Sequence, residues 1–490
     1  MEAVPIAVFW ILVAWVSLRH RQALLPLFFA SLPFGSLAVI PTSLTAGLTL
    51  TPAPIVALLV IVRQLGRKGG LARAVDAALT PSVALLLLAF WIVASVTTLF
   101  MPRFFAGEVV VIAVSQADFA LLRPTLQNVS QFVYISISVL ATFAFADLLR
   151  EPGSRERALN ALCLGAAITA LTGVLDFCAR YVPLEPLLDL FRTATYALLT
   201  NDEILDSKRV VGLMPEASSF GTLALSFLSL LYFFRRAMAA GFVRQWLVPA
   251  LMASLLALIA LSTSSAAYLG LGVLGGAMVA EWCWRSVAAG RNPYLRHGLA
   301  RELRLSLAAL ALLVLLFVAV PRLFAPMQQM FDTMVLQKTS SLSYEERTMW
   351  TQVSWRALWE THGLGVGLGG TRASNFAVAL ASNVGIVGAL LYALFVAQCL
   401  FLRRGGRDDA QGGALMSAVR WAYFAPFLAG LTIGTTPDFG VLNAWLYGFS
   451  IALLQQPTPR RAFPVAAVRA GSGSIARAPR AVIGDGARLG

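Results

Sequence analysis

Residues 346–388 read ERTMWTQVSWRALWETHGLGVGLGGTRASNFAVALASNVGIVG, and three kinds of chain succeed one another within them. Glu346 to Glu360 places apolar Trp350, Val353, Ala357 and Leu358 on one side of a helix. Glycines then recur at 363, 365, 367, 369 and 370, where backbone can come close to a ligand or to another helix. From Asn375 onward the chain is apolar for long enough to cross a bilayer, for which about 20 residues suffice. A polar helix and a glycine loop thus lead straight into a membrane span. That order decides the fold class.

Working outward, apolar runs of similar length recur along the chain. With 58% hydrophobic and 13% charged residues and a mean hydropathy of +0.75, the composition excludes a soluble globular protein. Roughly thirteen runs are long enough to span, on the 20-residue criterion. They begin near residues 4, 23, 47, 78, 128, 158, 216, 246, 267, 303, 376, 420 and 439. Every backbone amide in hydrocarbon needs an internal partner, so the runs are expected to be helices. The expected fold is all-α, a polytopic integral membrane protein. Cys163, Cys178, Cys283 and Cys399 lie in or beside the runs without CxxC spacing and read as packing residues.

Basic residues set the expected orientation. Arg19 and Arg21, Arg63 to Arg73, Arg150 to Arg157, Arg235 to Arg244, the arginines of 285–304, Arg403 to Arg420 and the tail all fall on one side of the alternating runs. This predicts the N-terminus outside and the C-terminus in the cytoplasm. The net charge of +14 then reports topology and attraction to anionic membrane lipid, not nucleic acid. Met1–Pro5 lacks a basic n-region, so no cleavable signal peptide is expected.

Three connections on the outer side are long: about 101–127, which includes the apolar EVVVIAV, about 180–214, and 321–375 between two late spans. Loops of this length are usually functional or disordered. Residues 1–456 read as one transmembrane domain. Residues 457–490, rich in Pro, Gly, Ala and Arg, read as a disordered basic cytoplasmic tail. No internal repeat marks a transporter built from duplicated halves.

His20, His297 and His362 are too scattered for a metal site, and no Gly-x-Ser-x-Gly supports a serine nucleophile. No metal and no cofactor is expected. Arg347 and Arg356 are about two and a half turns apart and point to opposite helix faces, so they cannot grip one anion together. Arg372 lies beside a helix entrance, with Ser374 as the expected N-cap of a helix beginning at Asn375, a setting suited to an anion. A second polar segment, Lys208-Arg209-Val-Val-Gly-Leu-Met-Pro-Glu216, ends at another span. There Pro215 suits the first turn of a helix and Glu216 its positive end, either as a simple stabiliser or as a general base.

Arg347-x-x-Trp350, His362-Gly-Leu-Gly-Val-Gly-Leu-Gly, Asn375 and Asn383-Val-Gly-Ile-Val-Gly resemble the hallmark of the O-antigen ligase and Wzy-type polysaccharide polymerase superfamily. Arg209-Val-Val-Gly-Leu-Met-Pro-Glu-Ala-Ser-Ser-Phe-Gly resembles a segment of its exopolysaccharide polymerases. The resemblance implies a GT-C-like arrangement with short helices in a long periplasmic loop of a bacterial inner-membrane protein. It also implies a metal-independent glycosyl transfer. Arg209 and Arg347 would hold the diphosphate of a polyprenyl-linked glycan, since guanidinium forks suit the charge that grows on such a leaving group. Lys208, Arg356, Arg372, Asn375, His362, Gly367 and Gly369 would line the substrate.

Ligases of this superfamily carry a His-Asn or similar pair where this chain has Ser374-Asn375. The departure moves the base role to Glu216 and favours a polymerase that joins polyprenyl-diphosphate-linked repeat units. The implied partners are a lipid-linked donor and acceptor, membrane lipid, a chain-length regulator and other glycan export proteins. One rival is a ligase that transfers the glycan to lipid A-core or protein. Another is a glycolipid flippase without chemistry, which needs charged residues deep in its spans. Asp147 and Asp176 fall near the ends of runs instead.

Overall fold

The computed structural model of the protein describes residues 3–41, 44–45, 48–114, 118–196, 198–200, 203–204, 207–288, 292–319, 342–403 and 410–455. The whole tail (457–490) and the first part of the long loop (321–341) lie outside the described residues. Residues 1–455 form one compact unit.

The unit is helical. In chain order come α1 (Ala3–Leu18), α2 (Leu24–Ser31), α3 (Pro52–Leu65), α4 (Gly70–Leu79), α5 (Leu85–Phe104) and α6 (Leu126–Leu148). They are followed by α7 (Pro152–Cys178), α8 (Glu185–Asp189), α9 (Ala217–Phe234), α10 (Val248–Leu261), α11 (Ser265–Ala288), α12 (Pro293–Arg296) and α13 (Leu299–Ala319). The last are α14 (Leu342–Glu360), α15 (Phe376–Ala397), α16 (Ala410–Ile433) and α17 (Gly440–Leu454). Among the described residues, eight helices are long and apolar enough to cross a membrane. Ala3–Leu18, Pro52–Leu65 and Gly440–Leu454 are shorter apolar helices.

The run from residue 23 departs from the expected single helix. Its helix stops at Ser31, because Pro33 cannot continue the hydrogen-bonding ladder. The chain then runs on in non-helical form, and Ser36 meets the loop before α9 through its N–H to Leu213 O (3.0 Å). Two antiparallel strand pairs also interrupt the all-helical pattern. Val110–Ile112 (β1) pairs with Phe119–Leu121 (β2), and Glu203–Ile204 pairs with Ser207–Lys208. The EVVVIAV stretch is β-branched and alternates in burial, which suits a hairpin better than a helix turn.

The core forms where α6 packs on α17, α9 on α16, α5 on α15 and α2 on α7. Helix α9 is central: 83% of its span is buried, against 28% of the span that ends in α10. Phe29 meets Trp445 edge to face at 5.0 Å, and Trp445 also touches Phe234. Small residues let the helices close, as is usual where lipid is the solvent. A Cβ on Gly448 would lie 2.8 Å from Thr142 O of α6.

A second small core positions the polar end. Phe105, Val109, Val111 and Leu122 of the β1–β2 region pack on Ala357 of α14 and Val366 of the glycine loop. The hairpin, α14 and the loop therefore hold one another.

Candidate functional site

The glycine loop is a docking device. Val366 N–H and Gly367 N–H donate to Ser382 O (2.8 Å) and Asn383 O (2.9 Å), and Ile386 N–H donates to Gly363 O (2.9 Å). These bonds fit the loop to a kink in α15, where Gly385 has φ +74° and ψ 172°. Gly367 has φ +82°, and a Cβ there would lie 2.8 Å from Pro102 Cγ of α5. Gly369 is buried against Gln127 O at the start of α6. Close backbone approach explains both glycines, and their side of the loop faces protein.

What the docked loop carries is Arg372. Its N–H donates to Ile112 O of β1 (3.0 Å), and its own carbonyl accepts from Ser354 Oγ of α14 (2.8 Å). Its guanidinium lies over the Trp350 ring, 4.2 Å from the centroid. Among the described residues it makes no ion pair, and its Nε has no hydrogen-bond partner. Burial lowers the Arg372 pKa below the ordinary arginine value, Glu216 and Glu346 raise it, and Arg347 lowers it further. Arg372 thus feels carboxylates from the start of α9 and from α14 and a second arginine from α14.

Arg372 and Glu216 line one cavity of about 590 Å³, together with Tyr196, Tyr392, Tyr423 and Asp438. Glu216 is the N-cap of α9, one residue before the helix, rather than part of its first turn. Its Oε1 accepts hydrogen bonds from the hydroxyls of Ser218 and Ser219. Asp176, buried at the end of α7, shapes the approach to it. One of its oxygens accepts from Val211 N–H (2.7 Å) and Gly212 N–H (3.0 Å), and the other pairs with Arg192 (3.2 Å). A cavity of about 540 Å³ beside Pro152, at the opposite end of α7, holds none of the residues singled out from the sequence.

The structure separates the remaining sequence-derived residues. Arg209 does not line the cavity. It reaches the α10–α11 turn, donating from Nε to Thr263 Oγ1 (3.0 Å). Arg347 does not line the cavity either, and it acts on Arg372 only electrostatically. Lys208 pairs with Glu185 (2.9 Å). Arg356 is exposed beside Trp355 and Trp359, on the face of α14 turned from Arg347, as the helical spacing predicts. His362 is exposed at φ +53° in the turn that ends α14, beside Phe105. Asn375, not Ser374, caps α15: its side chain accepts from Ala377 N–H (2.9 Å) and Val378 N–H (3.2 Å).

Three features were not read from the sequence. Asp438 stands in the turn between α16 and α17, where Thr-Thr-Pro-Asp looks like an ordinary connection. Tyr392, Tyr423 and Tyr447 come from three different helices and join through Tyr447 at 2.8 and 2.6 Å. Away from the cavity, Glu281 and Arg285 of α11 are buried with Arg236 and Glu302 in an ionic cluster. These charges sit near the last turns of α11 and pair with one another. Comparison with known protein-family models, curated proteins and solved structures gives no match.

Proposed function

We propose that the protein is a polysaccharide polymerase of the bacterial inner membrane, joining glycan units carried on polyprenyl diphosphate at its outer face. The observation that carries this reading is Arg372, a half-buried guanidinium without an ion-pair partner among the described residues, in one cavity with Glu216 at the mouth of apolar helices. The diphosphate would meet Arg372, with Arg347 adding to the positive field. The prenyl chain would remain in lipid while the sugars occupy the cavity. In the reaction the acceptor hydroxyl oxygen bonds to the anomeric carbon, and the anomeric carbon–phosphate oxygen bond breaks. Its electron pair leaves with the diphosphate, and the hydroxyl proton passes to a cavity carboxylate, Glu216 being the one offered by the sequence.

The topology supports the same orientation. Reading Leu24 through Val39 as a crossing made of a short helix and the turns that follow it would bring the count to about thirteen. Together with the one-sided basic residues, that count favours an N-terminus outside, a C-terminus in the cytoplasm and a cavity at the outer face. The test is the size profile of lipid-linked glycan in a native host that carries Arg372→Ala or Glu216→Gln. Accumulation of single repeat units supports polymerisation, and accumulation of long lipid-linked chains points to a ligase. Loss of lipid-linked units from the outer face points to a flippase.

A further inference from the structure

Besides Arg372 and Glu216, the cavity is lined by a second group of polar side chains, from the α16–α17 turn and the start of α17. Glu216, Glu346 and Arg347 act on Arg372 electrostatically. Asp438 is fixed by the α16–α17 turn. Its Oδ1 accepts from Ser138 Oγ (2.7 Å) and from Gly440 N–H (3.1 Å). Its Oδ2 has no bond to protein among the described residues, although Asp438 lines the cavity. Thr435, Thr436 and Asn443 line it as well. Asn443 Nδ2 donates to Phe439 O (2.7 Å), and neither threonine hydroxyl is bonded to protein among the described residues. Tyr392 stacks on Phe439 at 5.5 Å and gives this sector an aromatic wall. Hydroxyls, a carboxamide, a carboxylate oxygen and an aromatic face are the groups that recognise a polyol, and with a carboxylate and no cation among them they suit a diphosphate less well.

We propose that the turn from Thr435 to Asn443 is the subsite for the acceptor sugar, with Asp438 Oδ2 accepting the hydrogen bond of the attacking hydroxyl. The inference rests on the polymerase reading and divides its labour. Glu216 acts electrostatically on Arg372, and the base role that the sequence offered to Glu216 passes to Asp438. As the acceptor oxygen bonds to the anomeric carbon and the diphosphate leaves, the hydroxyl proton moves to Asp438 Oδ2. Ser138 and Gly440 hold the other oxygen, so the carboxylate is oriented before substrate arrives.

The experiment uses the full chain in lipid nanodiscs and two probes. Farnesyl diphosphate reports the cation sector. Oligosaccharide released by mild acid from the host's own lipid-linked glycan reports the hydroxyl sector. Asp438→Asn and Thr436→Val should weaken oligosaccharide binding at least tenfold and leave farnesyl diphosphate binding within twofold. Arg372→Ala should do the reverse. Thr436→Val leaves the Asp438 hydrogen bonds in place, so it serves even where Asp438→Asn fails to fold. Oligosaccharide binding unchanged in both variants overturns the subsite. Farnesyl diphosphate binding unchanged in Arg372→Ala overturns the polymerase reading instead, and with it the role of Asp438 as proton acceptor.

Discussion

The guanidinium of Arg372 lies 4.2 Å from the centroid of the Trp350 ring, so the helix that precedes the glycine loop also orients the cation that follows it. A cation over an aromatic face is stabilised by about 0.5–2 kcal/mol. Trp350→Ala should therefore weaken farnesyl diphosphate binding by roughly 2- to 30-fold, at 1.4 kcal/mol per factor of ten. Trp350→Phe should recover part of the loss. A titration that finds all three proteins equal would show that the ring does not position Arg372.

Gly367 separates docking from ligand binding. A Cβ there meets Pro102 Cγ at 2.8 Å, and the backbone sits at φ +82°. Gly367→Ala should cost about 1–3 kcal/mol of stability through overpacking and strain. Gly272 of α11 faces open space, so Gly272→Ala should be neutral or gain about 0.5–1 kcal/mol. Thermal unfolding in detergent gives both values. An unchanged midpoint for Gly367→Ala with lost activity would return the loop to a ligand-binding role.

Glu281 is shared by Arg236 at 2.6 Å and Arg285 at 2.9 Å, all three buried. Removing the carboxylate leaves two buried guanidinium groups with Glu302 alone. Breaking a buried pair in this way costs about 3–5 kcal/mol. Glu281→Gln should show a loss of that order in thermal unfolding, and Glu281→Gln with Arg285→Gln should lose less than the two changes summed.

If Asp438 accepts the proton as proposed, activity and stability should follow opposite pH trends. Burial raises its pKa above the ordinary aspartate value, while the bonds from Ser138 and Gly440 lower it. Tyr134 of α6 and Tyr392 of α15 feel its charge. A raised value means that the folded state binds the proton more tightly than the unfolded state. The cost of the buried charge is thus present above the folded pKa and is relieved as pH falls through it. Transfer needs the charged form and should fade over that same window. Asp438→Asn should remove the stability trend, and Ser138→Ala should move the acid limb of activity to higher pH. An acid limb that stays fixed in Ser138→Ala would separate it from Asp438.

The fold class was legible because apolar runs leave the backbone no alternative to helix in hydrocarbon. Arg347 and Arg356 were also correctly set on opposite faces, since helical spacing alone fixes that. The place of Arg372 was not legible, because it enters the cavity through a loop that docks on Ile112 of β1. Nor was that of Arg209, whose partner Thr263 lies 54 positions away. Asp438 looked like turn chemistry, and its place in one cavity with Glu216 depends on α9 packing against α16. Helix starts slipped by one residue at Glu216 and Asn375, where a capping side chain and a first-turn residue look alike in sequence. The break after Ser31 turned on Pro33 within an otherwise apolar run.

The most direct measurement is glycan bond formation by the purified protein in nanodiscs supplied with the host's polyprenyl-diphosphate-linked repeat unit. Wild-type protein should convert single units into a ladder of longer lipid-linked chains and release polyprenyl diphosphate, and Arg372→Ala should do neither. A ladder made equally well by Arg372→Ala, or single units left unchanged by the wild type, would contradict the account.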